Sequence, residues 1–173
     1  MLPDIDFFKI RLFQNSRNKG FEELCVQLFR ASFPNKTQFY RVDDAGGDGG
    51  VEDIALLDDD RKVGLQAKFF KSMGQSQWSQ INKSVKTALH THRPNIIEYR
   101  IACPCKRPKD SKSWDNYCKK WQTYAHEQGY TSKVKFVWKG DTELRNELTK
   151  NKHYDKVFYW FGCKQFSDGW LKD

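Results

Sequence analysis

Gln66 and Lys68 stand two residues apart, downstream of an acidic, glycine-rich stretch that runs Gly47-Asp48-Gly49-Gly50-Val51-Glu52-Asp53. On an extended strand successive side chains alternate, so Gln66 and Lys68 share one face while Leu65, Ala67 and Phe69 share the other. An acid at the near end of a neighbouring strand then lies across from them, and the carbonyl of Ala67 adds a further oxygen. Carboxylate, amide and carbonyl oxygens are the hard ligands that hold Mg²⁺, with Mn²⁺ as the alternative metal. Such an ion polarises a phosphate and acidifies water, and a nearby ammonium steadies the charge that builds on the phosphoryl oxygens. The inventory suits phosphodiester hydrolysis. The glycines are expected to let the backbone turn sharply and to admit a bulky polyanion.

The elements that must position these groups are legible from periodicity. "VEDIALL" and "KVGLQAKFF" predict two strands joined by the polar turn Asp58-Asp59-Asp60-Arg61, whose acids are read as a solvated turn outside the site. Upstream, "NKGFEELCVQLFRASFP" predicts a helix with Phe21, Leu24, Cys25 and Leu28 on its apolar stripe, Asn18 as its cap and Pro34 beyond its end. "TQFYRV" predicts a short strand. Downstream, "WSQINKSVKTALHTH" and "WDNYCKKWQTYAHEQG" predict amphipathic helices on either side of the strand "NIIEYRIAC", and "VKFVW", "DTELRNELT" and "KVFYWF" predict strand, helix and strand. The expected fold class is mixed α/β.

The chain has 173 residues, enough for one domain with a real core. Aromatic residues make up 15% against 38% hydrophobic, so large rings must supply much of the buried area. The net charge is +8, a balance that attracts polyanions. The basic loop "CKRPKDSK" supplies Lys106, Arg107, Lys109 and Lys112 as candidate phosphate contacts, and Lys71, Lys83 and Lys86 extend them towards the site. A solvated basic loop is the competing reading. The opening "MLPDIDFFKIRLF" has neither a basic leader nor an unbroken apolar core, and no apolar run is long enough to span a bilayer. A cytoplasmic protein with reduced thiols and no membrane association is expected. Among the five cysteines, Cys103, Cys105 and Cys118 with His126 match no standard zinc spacing. No phosphate-binding loop of the Gly-x-x-x-x-Gly-Lys-[Ser/Thr] type occurs.

Three motifs in order, Phe21-Glu22, Gly47-Asp48-Gly49-Gly50-Val51-Glu52 and Gln66-Ala67-Lys68, resemble the PD-(D/E)xK nucleases, and within them the Mrr-like restriction endonucleases. More narrowly, "GGDGGVE", "GLQAKFF", "QINKSVKTALHTHRPNIIEY" and "YWF" make residues 18 to 170 similar to the amino-terminal nuclease effector of bacterial antiviral STAND NTPases. The resemblance implies a single nuclease domain over 1–173, the amino-terminal part of a longer protein. It implies a restriction-endonuclease-like core of helix, three strands, helix and strand over 18–104, with an α/β extension over 105–173. It also implies a Mg²⁺-dependent endonuclease on double-stranded DNA, serving antiphage defence and activated when an NTPase region of the full-length protein drives homo-oligomerisation.

By this resemblance Glu52, Asp48 and Gln66 hold metal, Lys68 assists the attacking water, and Glu22 binds metal or positions a ligand. Asp53 is the fallback ligand, because "EDIAL" aligns either way and the pleat puts Glu52 and Asp53 on opposite faces. Gln66 stands where the superfamily usually has Glu. That neutral amide motivates a rival reading, a nucleic-acid-binding module whose catalysis has lapsed. Lys68, set among apolar neighbours, is expected to be buried and to need an acidic partner. A structural Lys–Glu pair is its competing role.

Overall fold

The computed structural model describes residues 1–42, 50–106 and 111–162. Five strands form one open mixed sheet in the order β1-β2-β3-β4-β5: β1 Gln38–Arg41, β2 Asp53–Leu56, β3 Lys62–Ala67, β4 Ile96–Ala102 and β5 Lys135–Lys139. The first three are antiparallel neighbours, and β3, β4 and β5 run parallel. Parallel neighbours need a crossover, and helices α2 (Gln75–Thr91) and α3 (Ser111–Glu127) supply the two required here.

Each face of the sheet carries its own core. Against α2 and α3 lie Ile54, Tyr99 and Ile101 of the sheet, with Trp78, Ile81, Val85, Leu89 and Trp121 from the helices. Against α1 (Arg17–Ala31), α4 (Asp141–Leu148) and α5 (Tyr154–Phe161) lie Ala55, Val63, Leu65 and Ala67, with Phe21, Leu24, Leu144 and Trp160. The molecule is thus mixed α/β in three layers. The large rings fill the cores as their abundance required, and two buried indoles find acceptors: Trp121 Nε1 donates to Asn82 and Trp160 Nε1 to Gln27.

The structure corrects two readings of the sequence and adds a third element to the core. "KVFYWF" is not a strand but belongs to α5. Val157, Trp160 and Phe161 are buried while Tyr154, Phe158 and Tyr159 are exposed, which is helical spacing. Its aromatic, β-branched composition imitates a strand, and packing against α1 and α4 decides otherwise. The cap of α1 is Ser16, whose hydroxyl accepts from Lys19 N at 3.2 Å, and Asn18 sits inside the first turn. The unassigned N-terminal segment is part of the core, with Ile5, Phe7 and Ile10 buried. The turn after β2, Asp58–Asp60, is exposed as its acids suggested, with Asp59 and Asp60 in the left-handed region. Among the described residues no helix is long and apolar enough to cross a membrane.

Candidate active site

The site forms where β2 begins and β3 ends. Antiparallel pairing sets Asp53 opposite Leu65, and the backbone N–H of Glu52 donates to Leu65 O at 2.7 Å. Glu52 therefore faces Gln66 across the ladder. The contact is direct: Gln66 Nε2 donates to Glu52 Oε1 at 2.9 Å and to the carbonyl of Ala67 at 3.2 Å. Gln66 is fully buried and Glu52 is 7% exposed.

The other oxygen of this amide, Gln66 Oε1, is buried with no hydrogen-bond partner. A buried unpartnered acceptor is costly and asks for a cause. Turning the amide about its last torsion, which X–C(=O)N geometry allows without moving the backbone, would bring Oε1 beside Glu52 Oε1 and Ala67 O. Three oxygens would then converge and repel one another unless a cation joined them. In that turned orientation the three oxygens would suit a hard divalent ion. Among the described residues no three His, Cys, Asp or Glu side chains are grouped as a metal cage. The fit rests on the amide and the main-chain carbonyl joining the carboxylates.

Helix α1 brings in Glu22, which is 8% exposed. Phe21 beside it is fully buried in the core, and this anchors the turn that presents the acid. Lys19, one turn earlier, pairs with Glu22 Oε2 at 3.2 Å. Glu22 and Glu52 line one cleft of about 240 Å³ together with Asn18, Ala67, Lys68, Phe69, Phe70 and Gln80. They also line a second cleft, with Lys19 and Arg41. Cys25 lies buried beneath both acids: burial pushes its thiol pKa up, and the charges of Glu52 and Glu22 push it further.

Lys68 departs from expectation. It stands one residue past β3, half-buried rather than enclosed, and its N–H donates to Ala102 O at 2.8 Å. Its side chain lines the cleft with Glu22 and Glu52 but has no ion pair among the described residues. Among the described residues, then, no structural Lys–Glu pair forms at Lys68.

Asp53 is placed elsewhere. It points to the α1 face, where both carboxylate oxygens are held by Arg30, Nε to Oδ2 at 2.7 Å and Nη2 to Oδ1 at 2.9 Å. This bidentate bond raises the Arg30 pKa further. With its oxygens so engaged and its side chain on the opposite face, Asp53 is not a companion of Gln66. Asp48, Arg107 and Lys109 lie outside the described residues.

Gly50 corrects a second expectation. Its φ is +78°, and a Cβ there would come within 2.0 Å of Ser84 O and 2.7 Å of Ala88 N in α2. This glycine serves contact with a helix rather than clearance for a polyanion. Its carbonyl accepts the buried hydroxyl of Tyr99, which ties the start of the Glu52 segment to β4.

Of the proposed phosphate contacts, Lys71, Lys83, Lys106 and Lys112 are exposed. Lys86 is half-buried, its ammonium 5.3 Å from the Tyr124 ring centre, and Lys71 reaches over Phe8 at 5.7 Å. Asn18, expected only as a helix cap, and Gln80, the first residue of "QINKSVKTALHTHRPNIIEY", also line the cleft. Lys19 was readable as the partner of an acid three residues on. No family model matches the chain, and a comparison with curated proteins finds no match.

Proposed function

We propose that this chain is a Mg²⁺-dependent DNA endonuclease domain with a restriction-endonuclease-like core, cutting double-stranded DNA by attack of water on a phosphodiester. One observation carries the reading: Glu52, Gln66 and the carbonyl of Ala67 meet in one hydrogen-bonded group at the edge of a cleft that Glu22 and Lys68 also line. The order of those residues along the chain, and their resemblance to Mrr-like nucleases, supports it.

In this reading Glu52, the Gln66 amide oxygen, the Ala67 carbonyl and Glu22 hold the ion, with Asp48 contributing from the glycine-rich loop. When bound, the ion supplies Lewis-acid polarisation of the phosphate and a more acidic water. The residues of the chain do the rest. Lys68 orients the attacking water by hydrogen bond and balances charge on the phosphoryl oxygens as they become more negative. Phe69 and Phe70 narrow the cleft beside it. The net charge of +8 draws the DNA in through contacts that sense the backbone and weaken with salt. Low basal activity follows if the domain works only when an NTPase region gathers several copies.

The test is plasmid nicking by pure protein with Mg²⁺, with Lys68→Ala as control and a second preparation fused to a constitutive oligomeriser. Cleavage by wild type but not by Lys68→Ala is expected, lost on chelation. Equal nicking by both proteins would reject it. The neutral Gln66 favours one rival, a DNA-binding module that no longer cuts. That rival gains if the oligomerised protein retains DNA regardless of Mg²⁺ and never cleaves it.

A further inference from the structure

Outside the cleft, the tightest cluster of reactive groups is a pair of thiols where β4 ends. Cys103 and Cys105 are free cysteines whose sulfurs stand 2.9 Å apart, joined by an S–H···S hydrogen bond. Pro104 between them restricts the turn, since its ring fixes one backbone torsion. The sulfurs are therefore held against each other by the chain itself. Backbone bonds pin both ends of the turn: Cys103 N donates to Lys139 O at 2.9 Å, and Asp141 N donates to Cys105 O at 3.2 Å.

We propose that Cys103 and Cys105 form an oxidation site that closes into an intramolecular Cys-Pro-Cys disulfide when the protein meets a hydroperoxide. The sulfurs need only approach from 2.9 Å to the covalent distance of about 2.05 Å.

The chemistry balances with peroxide as the sole co-reactant. The Cys103 thiolate attacks the O–O bond, forming an S–O bond and releasing hydroxide, which takes up the proton Cys103 has shed. Cys105 sulfur then attacks the sulfenic sulfur; the S–O bond breaks, and water leaves with the Cys105 proton. Two thiols lose two electrons, and peroxide gains them. The roles follow from the hydrogen bond. The bond between them lowers the Cys103 pKa against the opposing effect of burial, while the same bond and burial raise that of Cys105. Cys103 is the sulfur held towards thiolate, and Cys105 is the proton-bearing resolver. Cys103 is fully buried, whereas Cys105 retains 7% exposure and precedes the exposed Lys106, so the pair lies at the surface end of its strand.

The site borders the cleft without belonging to it. Ala102, one residue before Cys103, accepts the N–H of Lys68, and the Cys103 thiol points at the carbonyl of Phe70 at 3.9 Å. The proposal is independent of any nuclease activity.

The experiment treats the folded, reduced full chain with hydrogen peroxide, blocks remaining thiols after denaturation, and maps tryptic peptides by mass. Cys103 and Cys105 fall in one peptide, Ile101 to Lys106. The expected product is that peptide short of two hydrogens and unalkylated, restored by a reducing agent, at peroxide doses that leave Cys25 alkylatable. In Cys105→Ser, Cys103 should instead stop as a sulfenic acid that a 1,3-diketone reagent traps. The inference is overturned if both thiols stay alkylatable at doses that oxidise the half-buried Cys118. It is equally overturned if Cys103 bridges to Cys25 instead.

Discussion

Replacing Gly50 with alanine tests how the approach to Glu52 is built. Gly50 adopts φ +78°, a region that costs an L-residue about 1–2 kcal/mol. The added methyl would also lie 2.0 Å from Ser84 O and 2.7 Å from Ala88 N. Both are main-chain atoms of α2, which cannot rotate away as a flexible side chain would. Overpacking of this kind costs about 1–3 kcal/mol. The sum, about 2–5 kcal/mol, is a large part of the roughly 5–15 kcal/mol that stabilises a typical domain. For a chain of this size each kcal/mol moves Tm by about 2–4 °C, so a fall of roughly 4–20 °C is expected. Gly129→Ala is the matched control. Its φ is +92°, but nothing lies within 4 Å of a Cβ there, so only the conformational cost of about 1–2 kcal/mol applies. Thermal and urea unfolding followed by circular dichroism would measure both. If Gly50→Ala loses no more stability than Gly129→Ala, the close packing of Gly50 on α2 is refuted.

Arg30→Met should cost about 3 kcal/mol, because it strands the fully buried Asp53 carboxylate; an unchanged urea midpoint would contradict the pairing. Titration calorimetry with Mg²⁺ should show binding retained in Asp53→Asn and lost in Glu52→Ala, and the reverse order would restore Asp53 as the ligand. His153, 1% exposed with its Nε2 3.6 Å from Glu147 Oε1, has its pKa lowered by burial and then by Lys156, against a pull from Glu147. The unfolded chain thus takes up a proton, near pH 6.5, more readily than the folded one. Stability from the neutral ring is full above that pH and declines as pH falls below it towards the folded pKa. His153→Phe should flatten this part of the pH–stability curve relative to wild type, and identical slopes would dismiss the effect.

Much of this molecule was readable from local pattern. Strand-like runs joined by a polar turn marked β2 and β3, helical spacing marked the long helices, and the pleat alone separated Glu52 from Asp53. The pairing of Gln66 with an acid on the next strand followed from strand geometry, because register is a short-range property of a hairpin. Other features had no local signal. In α5 the composition of a strand is carried by a helix, since burial of Val157, Trp160 and Phe161 against α1 and α4 outweighs propensity. The partner of Asp53 lies 23 residues away in sequence, on a helix that only folding brings alongside. Lys68 read as a buried lysine among apolar neighbours. Its position one residue past the strand end, where it lines the cleft, leaves it half-buried. The residue types of the candidate site belong to the sequence. Which acid keeps its oxygens for the cleft, and which yields them to arginine, was decided by α1 packing on one face of the sheet.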